Sequence, residues 1–336
     1  MIGSTNRKIA IICNSNLFVP YVLTEILTHK EEHYLILTDI DNIECFFNEV
    51  CPDNAEMLRY YQPEGKKILK SRRKLIESTD KYNIHKIIFF HAEFGGIINW
   101  FILKKSKDTV ICYCKVFNRQ PFPKAHGLKA IKSWLFNRFF NGTSMDILVN
   151  NSRLFPSLPD SFFVKVRAEN YEIIIDNGII NSFISSKLNI LNSGAKVLLL
   201  TGSSVAVGYI EEKEYTSKTD ALIEAIGKEN IITKCHPRFT DVFGKEKEMV
   251  KVPSYIPGNL IVNYFDVCIG NHSTMLVEAA IAGKLAISLL DYYNQDSKQK
   301  LGLKAFFEDR LQGRARIYYP TSITEVLSLI SSCFKA

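Results

Sequence analysis

Apolar residues fall along this chain in short unbroken runs, separated by polar stretches where the spacing changes to that of helices. Residues 8–13 (Lys-Ile-Ala-Ile-Ile-Cys) read as a parallel strand buried on both faces. Asn14-Ser15-Asn16 reads as a turn, residues 19–27 as a helix and residues 34–38 as a second strand. That order opens a doubly wound sheet. Further strands are predicted at residues 86–90, 110–114, 146–149 and 171–175, with a basic helix over 66–81.

The periodicity lapses over residues 185–195, where Asn192, Ser193 and Gly194 stand together, and then restarts. The second half predicts strands at 196–201, 230–234, 265–269 and 285–289, with helices at 217–227 and 274–282. A chain of 336 residues suits two domains, taken here as 1–188 and 195–336, each Rossmann-like.

Composition changes this picture little. Hydrophobic residues at 46% supply two full cores. A net charge of +7 suits an anionic ligand or a membrane surface better than a dedicated nucleic-acid binder, and no nucleic-acid partner is expected. The eight cysteines form no CxxC pair and no zinc spacing, so a reducing, cytoplasmic setting is expected. The apolar run after Arg7 and Lys8 is broken at Asn14, too early for a signal peptide or spanning helix, and residues 95–103 are too short to cross a bilayer.

Three motifs carry candidate chemistry. Lys234-Cys235-His236-Pro237-Arg238 follows a strand, where ligands of parallel sheets collect. An imidazole there can protonate or hydrogen-bond a departing phosphate oxygen, with Lys234 and Arg238 as nearby cations and Pro237 fixing the chain. Gly270-Asn271-His272-Ser273-Thr274 lies between a strand and a short helix that Gly283 should stop. Ser273 or Thr274 caps that helix, and the helix start with its hydroxyls makes an anion site; an ordinary cap without a ligand is the alternative. Asp176-Asn177-Gly178 ends the last predicted strand of the first half. Its carboxylate is a candidate general base, although the same residues also make a simple turn.

Taken together, the acidic-x-Gly, His-Pro and Ser-Thr motifs resemble those of bacterial sialyltransferases of the lipooligosaccharide, O-antigen and capsule type and of bacterial polysialyltransferases. Residues 11–17 resemble the first strand and loop of that group. The resemblance implies an α/β GT-B fold, two Rossmann-like domains facing across a cleft. It also implies transfer of sialic acid from CMP-sialic acid to a sugar, terminal galactose above all, of a surface glycan. It gives Asp176 the role of general base, His236 that of acid or donor to the leaving CMP phosphate, and Ser273 and Thr274 that of phosphate ligands. The family's second acidic position is Asn177 here, which bears on the assignment to Asp176. A donor with one phosphate needs no metal and no cofactor; Asp39-Ile40-Asp41 has a DxD spelling but lies away from the proposed donor site.

Weaker signals complete the reading. Asn14, Ser15 and Asn16 are expected to contact the sialic acid, Gly178 to belong to the acidic motif, and Gly202, Ser203 and Ser204 to approach the nucleotide. Residues 126–140 interleave Lys129, Lys132 and Arg138 with Trp134, Phe136, Phe139 and Phe140. Such a basic amphipathic helix can rest on an anionic leaflet, which suits peripheral contact with the inner membrane and a lipid-linked acceptor. Two rivals stand beside the first reading. One is a CDP-glycerol-type polymer transferase, which pairs a second histidine with a serine-rich phosphate site. The other is a non-catalytic sugar-nucleotide binder that keeps the same shell.

Overall fold

The structure is a computed structural model that describes residues 8–13, 16–38, 40–59, 81–91, 109–114, 146–148, 175–189, 194–201, 204–236, 239, 241–311, 313 and 315–335. The chain divides into two compact units, Met1–Ile180 and Asn181–Ala336.

In the first unit the strands are β1 (Lys8–Cys13), β2 (His33–Thr38), β3 (Ala55–Arg59), β4 (Ile84–His91), β5 (Thr109–Cys114) and β6 (Asp146–Leu148). They lie in the order β3-β2-β1-β4-β5-β6, and every pairing is parallel. Parallel neighbours need a crossover, supplied by α1 (Val19–Thr28) between β1 and β2 and by α2 (Asp41–Glu49) between β2 and β3. Ile9 to Cys13 and Tyr34 to Thr38 are all buried, which is why both strands read as unbroken apolar runs. The buried carboxylate of Glu25 on α1 is met by the Tyr34 hydroxyl at 3.4 Å and Lys86 Nζ at 3.9 Å.

In the second unit the strands are β7 (Val197–Thr201), β8 (Ile231–Cys235), β9 (Lys251–Val252), β10 (Val267–Gly270), β11 (Leu285–Ser288) and β12 (Ile317–Tyr318). The order β12-β11-β10-β7-β8-β9 is again parallel throughout. It follows the same plan as the first sheet: the chain winds outward from a central strand, returns, and winds out on the other side. Each sheet therefore has one switch point, between β1 and β4 and between β7 and β10, where the carboxyl ends of parallel strands leave a crevice for ligands.

Helix α3 (Asn177–Lys187) carries the chain from one unit to the other. The sequence reading placed a turn and then a linker here. Asn177, Gly178, Asn181, Ser182, Ser185 and Ser186 are poor helix formers, but Ile180, Ile184 and Leu188 recur every four residues and are buried. That stripe outweighs the propensities. The Tyr264 hydroxyl donates to Asn181 O at 2.6 Å and accepts from Ser185 Oγ at 3.0 Å, tying the later turns of α3 to the second unit.

Beyond β7 the chain forms α4 (Glu212–Ile226), beginning earlier than its apolar spacing predicts because Glu212 and Glu214 occupy an exposed first turn. Then come α5 (Gly258–Ile261), α6 (Met275–Ile281), α7 (Ser297–Leu311) and α8 (Ile323–Lys335). Val197, Leu199, Leu222, Ile223, Ile269, Ile287 and Val326 pack α4 and α8 onto one face of this sheet. Each such buried aliphatic side chain contributes about 1.5–3 kcal/mol of transfer free energy. No helix among the described residues is long and apolar enough to cross a membrane.

Candidate functional site

At the second switch point three strands end level with one another. Thr201 on β7 pairs with Cys235 on β8, and Ile269 on β10 pairs with Leu199. Asn271 and His272 directly follow β10 and His236 directly follows β8, so the two histidines leave the same sheet edge on strands separated by β7. The approach of β10 to β7 depends on Gly270, where a Cβ would stand 3.0 Å from Leu200 Cβ.

His236 continues the ladder one residue past β8, its N–H donating to Thr201 O at 3.2 Å. The chain then turns, Phe239 N–H donating to His236 O at 3.1 Å, and the two rings lie 5.2 Å apart. Cys235, on the opposite side of the strand, meets Thr201 Oγ1 at 3.4 Å. Lys234 corrects an expectation. It is only 4% exposed, and its Nζ donates to the carbonyls of Pro253 and Ser254, each at 3.3 Å. Burial pushes its ammonium down to about 8, and the neighbouring Cys235 opposes that shift. Its charge serves the β8–β9 edge and is not presented beside His236.

The loop after β10 carries Asn271, His272, Ser273 and Thr274. Thr274 is the cap residue of α6, but its side chain makes no capping bond. The neighbouring Ser273 Oγ accepts from Met275 N–H at 3.3 Å instead. Gly283, at φ +75°, terminates the helix as the sequence predicts. With only seven residues, α6 is shorter than predicted, and the polar side chains its loop offers are hydroxyls, an amide and an imidazole.

Ser204, from the glycine-serine run after β7, and Tyr209, which the sequence did not single out, complete the cluster. Ser204, just beyond β7, receives Asn271 Nδ2 at 2.9 Å and lies 3.4 Å from His272 Nδ1. Asn271 is 6% exposed; its backbone oxygen accepts from Ser288 Oγ at 2.7 Å, and its own Oδ1 meets no donor. Tyr209 sets its ring edge-on to His272 at 5.0 Å. Burial, followed by the nearby His236, holds His272 below the usual imidazole range. The clues in the sequence were the Asn-His pair within the same Gly270–Thr274 loop and Ser204 in the glycine-serine run after β7; nothing local pointed to Tyr209.

In the first unit Asp176 opens α3, where it was expected to close a strand. Ile175 is not in a strand, and residues 171–174 lie outside the described residues. The exposed Asp176 carboxylate accepts Ile179 N–H through Oδ1 at 3.0 Å, a helix N-cap. Its own N–H donates to Thr24 Oγ1 at 3.3 Å. Gly178 leaves room for that cap, since a Cβ there would come within 3.2 Å of Asp176 Oδ1.

At the first switch point Thr38 Oγ1 donates to Cys13 O at 2.7 Å and accepts Ile40 N–H at 3.1 Å, pinning the end of β1. Asn16 follows that end, with its Oδ1 buried and meeting no donor. Asn14, Ser15, Asp39, Gly202, Ser203, Pro237 and Arg238 lie outside the described residues, as do the basic segment 126–140 and residues 66–80. Asp41, the other acid of the DxD spelling, pairs with Arg59, as does Glu44. Among the described residues no group of three His, Cys, Asp or Glu side chains is arranged to hold a metal ion.

No family model matches the chain. No curated protein matches it either. Among solved structures, a histidine-to-alanine form of the wall teichoic acid polymerase TagF is 14% identical over 99% of this chain and 82% of its own, with a TM-score of 0.56. A histidine-to-asparagine form of TagF with CDPG gives 0.55 at 12% identity and the same coverage. The UDP-GlcNAc 2-epimerase from Methanocaldococcus jannaschii gives 0.50 at 14% identity, over 97% of this chain and 99% of its own. The fold is GT-B. That fold is shared by glycosyltransferases and epimerases, so it does not itself choose a reaction. In GT-B terms the described cluster is the carboxyl edge of the second sheet.

Proposed function

We propose that the chain is a sialyltransferase, moving sialic acid from CMP-sialic acid to a terminal sugar, galactose above all, of a bacterial surface glycan. The observation that carries this reading is the convergence of His236 and the His272–Thr274 loop on the carboxyl edge of one sheet. There, imidazole and hydroxyl groups suit a single phosphate without a metal ion. In the reaction the acceptor oxygen attacks the anomeric carbon, and its proton passes to the Asp176 carboxylate. The bond from that carbon to the phosphate oxygen breaks with its electron pair, and CMP departs. His236 donates to that oxygen, and Ser273 and Thr274 hold the phosphate. Oxocarbenium-like charge develops on the sugar, and the anomeric configuration inverts. Cytoplasmic placement against the inner membrane fits a lipid-linked acceptor.

The test is incubation with CMP-sialic acid and galactose-terminated acceptors, read by mass and linkage analysis of the product. His236→Ala should lower turnover by at least about a hundredfold, the scale of acid–base groups. CMP release without any acceptor product would reject transfer.

A CDP-glycerol-type polymer transferase is the second reading, favoured by one observation: a second histidine, His272, lies at the same sheet edge as His236. The TagF forms altered at histidines and the one carrying CDPG share the fold. Turnover with that donor in place of CMP-sialic acid would select this reading.

A further inference from the structure

Asn271 Nδ2 is a donor only, and it points at Ser204 Oγ from 2.9 Å. One lone pair of that hydroxyl is thereby engaged, which leaves its hydrogen for His272 Nδ1, 3.4 Å away, in the tautomer where that nitrogen accepts. An imidazole nitrogen that accepts carries no hydrogen, so in the neutral ring the hydrogen sits on Nε2. Burial and His236 both favour the neutral ring. Two further contacts hold the arrangement: the Tyr209 ring against the imidazole, and Ser288 Oγ on the Asn271 backbone oxygen.

We propose that Ser204 and Asn271 are positioning residues that fix His272 as its Nε2–H tautomer, making it a neutral hydrogen-bond donor to the ligand phosphate and not a proton acceptor. The phosphate part rests on the reading above; the tautomer part does not. The two histidines then divide the work, His236 being able to supply a proton while His272 supplies a fixed dipole. Such preorganised donors stabilise developing charge without reorganising as the bond breaks.

The experiment is two-bond proton–nitrogen correlation spectroscopy of the full chain at pH 7, with the His272 signal assigned by its loss in His272→Gln. The expected result is an Nε2–H ring in the wild type and mixed tautomers in Ser204→Ala, with the Nε2 state restored in Ser204→Thr. Adding CMP should shift the Nε2 resonance. Ser204→Ala should lower turnover about five- to tenfold, the scale of one hydrogen bond, with donor KM nearly unchanged. An Nδ1–H ring in the wild type, or an unaltered tautomer in Ser204→Ala, overturns the positioning role. An Nε2 resonance unmoved by CMP overturns the phosphate role. A wild-type Nε2–H ring that shifts with CMP in a protein inactive toward CMP-sialic acid supports the inference while rejecting the sialyltransferase.

Discussion

Tyr215 donates its hydroxyl to Glu246 Oε1 over 2.6 Å in the interior of the second unit, while Phe243 N–H reaches Oε2 at 3.2 Å. Glu246 is 0% exposed, and burial pushes its carboxyl up to about 7. The bonds from Tyr215 and Phe243 pull it back, and Asp220 and Lys251 add smaller, opposed effects. A carboxyl raised in the fold favours the native state most while it is protonated in both states. That contribution is full below about pH 4.5 and is lost as pH climbs to 7, roughly 3 kcal/mol in all. The urea midpoint of the second unit should therefore fall between pH 5 and pH 7.5, and Glu246→Gln should flatten that slope. An equally steep slope in the variant would remove Glu246 as its source.

Asp176 caps α3 and is the proposed general base, and one substitution separates the two. Asparagine caps a helix about as well as aspartate, so Asp176→Asn should leave the melting temperature of α3 and its surroundings almost unchanged. Without a carboxylate, turnover should drop about a hundredfold or more. Near-normal turnover would leave the residue as a cap alone.

Lys234 lies beside the site in sequence but serves the sheet edge. Lys234→Met should strand the carbonyls of Pro253 and Ser254, at a cost of about 1–3 kcal/mol each if they stay dry. Thermal unfolding should show that loss, while the donor KM of the folded protein moves less than about twofold. A large rise in KM with intact stability would return the ammonium to the phosphate.

Gly270→Ala tests the spacing of the two central strands. The new methyl would press on Leu200 near its root, where rotation gives no relief. Overpacking of this kind costs about 1–3 kcal/mol, and the strain falls directly before Asn271. Both stability and turnover should decline together; a variant with full activity would show that the loop tolerates a displaced β10.

Strands β1, β2, β7, β8, β10 and β11 were legible in the sequence because burial on both faces leaves continuous apolar runs; β4, β5 and β6 also stood out as short apolar runs. The two-residue strands β9 and β12 are too short for any pattern. Helix α7 buries only Phe307 and Leu311, so it shows no stripe, and α3 hides its stripe among serines and asparagines. The placement of His236, Ser273 and Thr274 beyond strand ends was legible because the apolar runs before them mark those strands. Their company was not. The Ser204 contacts join residues 67 and 68 positions apart, and only the parallel register of β7 against β10 brings them together.

The duplicated winding plan has a consequence for synthesis. Every described strand of the first sheet has been made once Leu148 is in the chain, and the described strands of the second sheet do not begin until Val197. At the pace of translation that interval lasts roughly 2–10 s, ample for the earlier ladder to close on the ribosome. The later half thus emerges beside a neighbour whose strand edges are already paired, and a mistaken exchange of strands between two sheets of identical order has little time in which to occur.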